Sequence, residues 1–155
     1  MTQSSILKHL NDAKSTHKHW LQRIDHLITG LPVDKDFIPS KAIDCDFGKW
    51  IYFEGAKLRS IPSAIKMINS IEHHHNELHI SYMHIYKIYF VLPKKRSILH
   101  KIFTLNSQSV FKIEQTKAKE YFEYLQQTSV ELLALLDILE KRIKETPISE
   151  IDKIV

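Results

Sequence analysis

His75 and His79 stand four residues apart, a spacing that on a helix stacks both rings on one face, one turn apart, where they can share a metal ion. His73 and His74 point elsewhere on such a helix. Earlier in the chain His17 falls on an apolar stripe between Ala13 and Trp20, whereas His19 falls off it and belongs in solvent. The one cysteine, Cys45, has no partner for an internal disulfide, so its chemistry is that of a ligand or a reactive thiol. It lies near the start of a short predicted helix, whose amide ends should lower its pKa and favour the thiolate. His17, Cys45, His75 and His79 form a soft and borderline donor set that suits tetrahedral zinc. A polar residue on a core-facing stripe must be hydrogen-bonded, paired or bound to metal. On pattern alone, a metal site and a set of hydrogen-bonded core histidines are equally good readings.

The elements that must position these residues are helical. Ile6, Leu10, Ala13, His17, Trp20, Ile24 and Leu27 recur in steps of three and four, a heptad seam that ends near Gly30 and Pro32. A loop follows from Leu31 to Ser40, then about two turns of helix between Asp44 and Glu54, closed by Gly55. Ser60 as cap with Pro62 in the first turn predicts the start of a second main helix. Its seam runs Ile65, Ile68, position 72, His75, His79, Tyr82, Tyr86 and Tyr89, with Glu72 the misfit and Ile71 beside it, and the helix should reach Leu92. Pro93 then ends or kinks it, and Lys94, Lys95 and Arg96 suit a solvated turn. Ser97 to Gln108 reads as a further helical piece. From Ser109 to Lys144 one apolar side is kept by Phe111, Ala118, Tyr121, Phe122, Leu125, Leu132, Leu136, Leu139 and Ile143. That helix is longer than a small globule needs, which points to packing on a second chain. The fold expected is an all-α antiparallel bundle of four main helical segments plus a short helix carrying Cys45. One domain spans 1–146, with a tail over 147–155.

Composition agrees and narrows the function. The 155 residues, 43% hydrophobic and 26% charged, suffice for one folded domain and exclude disordered classes. Three glycines and five prolines are too few for a barrel or sandwich. A formal net charge of +4 without a basic stripe argues against nucleic acid as a partner. No signal-peptide core or membrane-length apolar run is present, so a cytoplasmic protein without membrane contact is expected.

The run Cys45-Asp46-Phe47-Gly48-Lys49-Trp50-Ile51-Tyr52 resembles the Cys-x-apolar-Gly-x-aromatic core of the chemoreceptor zinc-binding (CZB) domain family. The family also places a histidine three residues before an aromatic on its first helix, as in His17-Lys18-His19-Trp20, and a later His-x-x-x-His pair, as in His75 to His79. The resemblance covers Ile6 to Tyr86, and Ser129 to Asp137 is similar to the family's closing helix. It implies a helical bundle that holds one zinc ion through His17, Cys45, His75 and His79. It also implies a cytoplasmic module of bacterial signalling, of the kind attached to chemoreceptors or diguanylate cyclases, in which zinc occupancy or oxidation of the thiolate changes the output. A stand-alone member is expected to act as a homodimer, by binding a separate signalling protein, or by holding metal. The family often has Arg after the cysteine; Asp46 stands here and should make the thiol less acidic.

Three functions remain to be weighed. The first is a zinc-linked or redox-linked regulator without catalysis. The second is a metal-free interaction bundle in which Cys45 is a small apolar side chain. The third, a zinc hydrolase, fits least, because the metalloprotease helix signature needs Glu directly after its first histidine and Asn76 stands there. Trp20, Phe47 and Trp50 are expected to wall the site from water. Tyr82, Tyr86, Tyr89 and Phe90 read as core or dimer contacts, and His84 and His100 as exposed or locally satisfied.

Overall fold

A computed structural model of the chain describes residues 1–34, 37–61, 64–92 and 107–153, and the secondary structure among them is helical throughout. Helix α1 (Gln3–Ile28) begins at a capping box, in which the Ser5 amide donates to the Thr2 hydroxyl at 3.1 Å and the Thr2 amide to the Ser5 hydroxyl at 2.9 Å. It ends where the sequence predicts. Gly30 takes φ +87°, and the Leu31 and Gly30 amides donate back to the carbonyls of His26 and Leu27, the bond pair of a Schellman motif. Ile6, Leu10, Ala13, His17, Ile24 and Leu27 are buried, as the seam requires, and His19 is exposed. Trp20 is only half-buried and packs at the edge of the core.

A 3-10 turn (Ala42–Asp44), helix α2 (Asp46–Tyr52) and a second 3-10 turn (Gly55–Ser60) form the crossing segment. Helix α3 (Ile65–Tyr86) follows and continues through a π-helical turn (Lys87–Val91) into Leu92. Ser60 does not cap it. That residue closes the second 3-10 turn, and the cap position belongs to Ala64, which makes no side-chain bond there. The predicted roles of Pro62, Pro93, the Lys94 to Arg96 turn, His100 and the piece from Ser97 up to residue 106 lie outside the described residues.

The buried band of α3 is wider than the predicted seam but leaves out Ile65, which is 41% exposed at the first turn. It takes Ile71 in place of Glu72, whose carboxylate pairs with Arg59, and adds Leu78, Ser81 and Ile85, while Ile88 in place of Tyr86 or Tyr89 is buried in the π turn. One side of α3 faces α2 and the other packs on helix α4 (Ser107–Glu145), so a single stripe cannot describe it.

α4 has 39 residues and is about 58 Å long at 1.5 Å per residue. Ala118, Phe122, Leu125, Leu132, Leu136, Leu139 and Ile143 hold its core side, but Phe111 is 40% exposed and drops out of the predicted stripe. α4 runs antiparallel to α1, because Gln3 Nε2 donates to the Ile143 and Thr146 carbonyls and Lys14 pairs with Asp137 and Glu140. It is also antiparallel to α3: His74 meets Glu131 at 2.9 Å, and the His84 ring stacks on Tyr121 at 4.4 Å. α1 and α3 therefore run parallel on a shared α4. The stretch expected as a tail forms a helical turn, α5 (Ile148–Ile151), and puts Ile151 fully into the core.

Candidate metal centre

Three elements bring the predicted ligands together at the place where α1 and α3 approach each other. α1 supplies His17, α3 supplies His75 and His79 from adjacent turns, and Cys45 stands at the N-cap of α2. All four are buried, with relative exposures of 2%, 0%, 3% and 3% for His17, His75, His79 and Cys45. One nitrogen from each of the three histidines lies within 4.8 Å of the other two, and among the described residues this is the one grouping of its kind. The Cys45 sulfur sits 3.2 Å from His75 Nε2.

The outer nitrogens of two rings are already fixed. His17 Nδ1 bonds to the Ala13 carbonyl at 2.7 Å, and His79 Nδ1 to the Pro39 carbonyl at 2.9 Å. Each ring thereby donates its N–H to the backbone and presents a bare Nε2 lone pair inward, the tautomer and aim that metal-ligating histidines have. Neither Nε2 has a hydrogen-bond partner, and His75 Nδ1 has none either. Buried ring nitrogens left this way cost about 1–3 kcal/mol each, so the cluster is incomplete as a hydrogen-bonded core. Ligand atoms on a tetrahedral zinc are separated by about 3.3–3.6 Å given the usual bond lengths. The 3.2 Å from Cys45 to His75 is close to that separation, whereas the three-histidine grouping itself does not include Cys45.

Burial sets the protonation. It outweighs every other influence on the rings, holding His17 at about 4 and His75 at about 2, and lowering His79 as well, so all three rings are neutral at pH 7. For Cys45 the expectation from the helix amides is only partly met. The Gly48 amide donates to the sulfur at 3.2 Å, and the Gly48 and Phe47 amides do lean toward the thiolate. Burial exceeds them, Asp46 opposes them as predicted, and the metal-free thiol is pushed above its ordinary value of 9.0.

Gly48 shows why the string around Cys45 has its form. A Cβ there would stand 1.8 Å from the Ala42 carbonyl oxygen and 3.2 Å from His75 Cε1, so only glycine lets α2 close on the preceding turn and on the histidine at once. Two of the three aromatics expected around the site touch its rings: Phe47 packs edge-on against His17 and His75 at 5.8 and 5.1 Å, and Trp20 against His17 and His79 at 4.8 and 5.5 Å. Trp50 stacks on His9 at 5.0 Å. The carbonyls of Ala13 and Pro39 escaped sequence reasoning, since backbone acceptors carry no residue signature.

Comparison with curated proteins and with solved structures gave no match. Residues 17–86 match the family described as chemoreceptor zinc-binding domain, a span that begins at His17 and contains Cys45, His75 and His79. Residues 17–86 are therefore similar to the chemoreceptor zinc-binding domain family, in line with the resemblance its motifs carry.

Proposed function

We propose that this chain is a zinc-binding regulatory protein of bacterial signalling, in which His17, Cys45, His75 and His79 hold one zinc ion. Occupancy of that site, or oxidation of Cys45, then alters bundle packing or partner binding. The observation that carries the reading is the pair of buried, partnerless Nε2 atoms on His17 and His79, each aimed inward by an Nδ1 bond to a backbone carbonyl. Zinc would supply the charge that stabilises the Cys45 thiolate and a cross-link among α1, α2 and α3 whose binding free energy adds to folding. The residues around it do the rest. Ala13 and Pro39 orient two rings, Gly48 admits α2, and Phe47 and Trp20 keep the ligands in a dry setting.

A catalytic role has less support. Glu77, the nearest carboxylate to the helix signature of a zinc hydrolase, accepts from the Tyr124 hydroxyl on the α4 side at 3.4 Å. Homodimerisation is part of the proposal too, favoured by the length of α4 and by Phe111 and Ile113, which are 40% and 58% exposed toward its start. Among the described residues no helix is long and apolar enough to cross a membrane.

The deciding experiment is metal content by mass spectrometry on tag-free protein. About one zinc per chain is expected in the wild type and in His19→Ala, and loss in His17→Ala, Cys45→Ala and His79→Ala. Zinc absent from the wild type would instead leave a metal-free interaction bundle.

A further inference from the structure

Two clefts of opposite character reach the histidine cluster. One, of about 650 Å³, is lined by His17 and Cys45 together with Asp12, Asp44, Asp46 and Lys8. The other, of about 500 Å³, reaches His79 and is lined by Lys41, Lys87 and His84. Among the described residues that line them the charges differ in sign: three carboxylates against one lysine in the first, two lysines and no carboxylate in the second. In a chain of formal net charge +4, the first cleft is a local reversal.

We propose that the acidic cleft is the route by which a divalent cation enters and leaves the buried site, and that Asp12, Asp44 and Asp46 set the rate of that exchange. The inference rests on the zinc-site reading above. Three exposed carboxylates alone would say little. What points to a ligand is His17, buried and lining this cleft, whose Nε2 has no partner. Lys8 offsets part of Asp12, and Lys49 part of Asp46, but both are exposed ion pairs that leave the cleft acidic. A cleft of one sign with low-dielectric walls concentrates counter-ions and raises association rates by about 10-fold to 1,000-fold. On the opposite side Lys41 and Lys87 repel a cation.

The test is rapid mixing of metal-free full-length protein with zinc against a chelating dye. The Asp12→Asn, Asp44→Asn, Asp46→Asn triple variant is compared with wild type at about 20 mM and about 0.5 M salt. Association is expected to slow by about tenfold at low salt, the gap closing at high salt, with one zinc still bound at saturation. Equal rates in the triple variant overturn the proposal, as does faster uptake on Lys41→Gln with Lys87→Gln that exceeds any effect of the acidic set. A wild type that binds no zinc at equilibrium overturns the site reading instead, before any rate is measured.

Discussion

The α-carbon of Gly48 faces the carbonyl oxygen of Ala42 so closely that an added Cβ would sit 1.8 Å from it. Both partners are backbone, so neither can swing aside as a flexible side chain would. Gly48→Ala must therefore push α2 away from the 3-10 turn or displace His75, whose Cε1 stands 3.2 Å from the same point. Strained overpacking of this kind costs about 3 kcal/mol, which lowers Tm by about 10 °C for a chain of this size. Thermal unfolding with and without zinc checks it. A variant that melts with the wild type and keeps its zinc would show that α2 does not close as described.

Stability without metal should fall steeply in acid. Burial keeps His17 at about 4 and His75 at about 2, against 6.5 when unfolded, and His79 is lowered too. Below pH 6.5 the unfolded chain takes up protons that the folded chain refuses, so unfolding is favoured as pH falls, by about 1.4 kcal/mol per unit for each ring. His17 stops contributing near pH 4, and His75 continues toward 2. Urea titrations of chelator-treated protein from pH 7 to 4 should show this slope, and His17→Gln should shrink it. The thiol works at the other end. Cys45 is raised above 9.0, so at pH 7 zinc binding should release about one proton, seen by calorimetry in buffers of different ionisation heat. No proton release would remove Cys45 from the ligand set.

Lys14 ties α1 to α4 through Asp137 and Glu140, one turn before His17. Glu140 keeps a second partner in Lys144, so Lys14→Met does not strand a buried charge. Since Asp137 is exposed and the network is only partly shielded, the expected loss is about 1 kcal/mol, with one zinc still bound. Chemical denaturation and metal content read together test this. Loss of zinc in that variant would mean that the α1 to α4 link sets the rotation of α1, and with it the aim of His17.

The site was more legible than its support. Periodicity distinguished His17 from His19 because α1 buries one narrow stripe, and i, i+4 spacing isolated His75 and His79 from the two histidines before them. α3 hid its true burial because it packs on two sides, which is why Ile85 and Ile88 displaced Tyr86 and Tyr89. Ser60 misled for a local reason: a 3-10 turn and a helix start use the same residue types. Nothing in the residue string announced the Pro39 carbonyl, since the loop that carries it is positioned by the bundle and not by its own pattern.

Trp20 should matter more for holding metal than for folding. Its ring packs edge-on against His17 at 4.8 Å and His79 at 5.5 Å, yet it is half-buried at the edge of the core. A fully buried tryptophan would cost about 3–5 kcal/mol on truncation to alanine; at this edge position about 2 kcal/mol is expected. The larger consequence is access, because Trp20 also lines the acidic cleft. Trp20→Ala admits water to two ligand rings and frees them to tilt, so zinc should dissociate about tenfold faster into excess chelator. Trp20→Phe, which keeps an apolar ring over both histidines, should restore most of the retention. Equal loss in both variants would mean that the indole is held for its own packing, whereas rescue by phenylalanine places its role at the ligand rings.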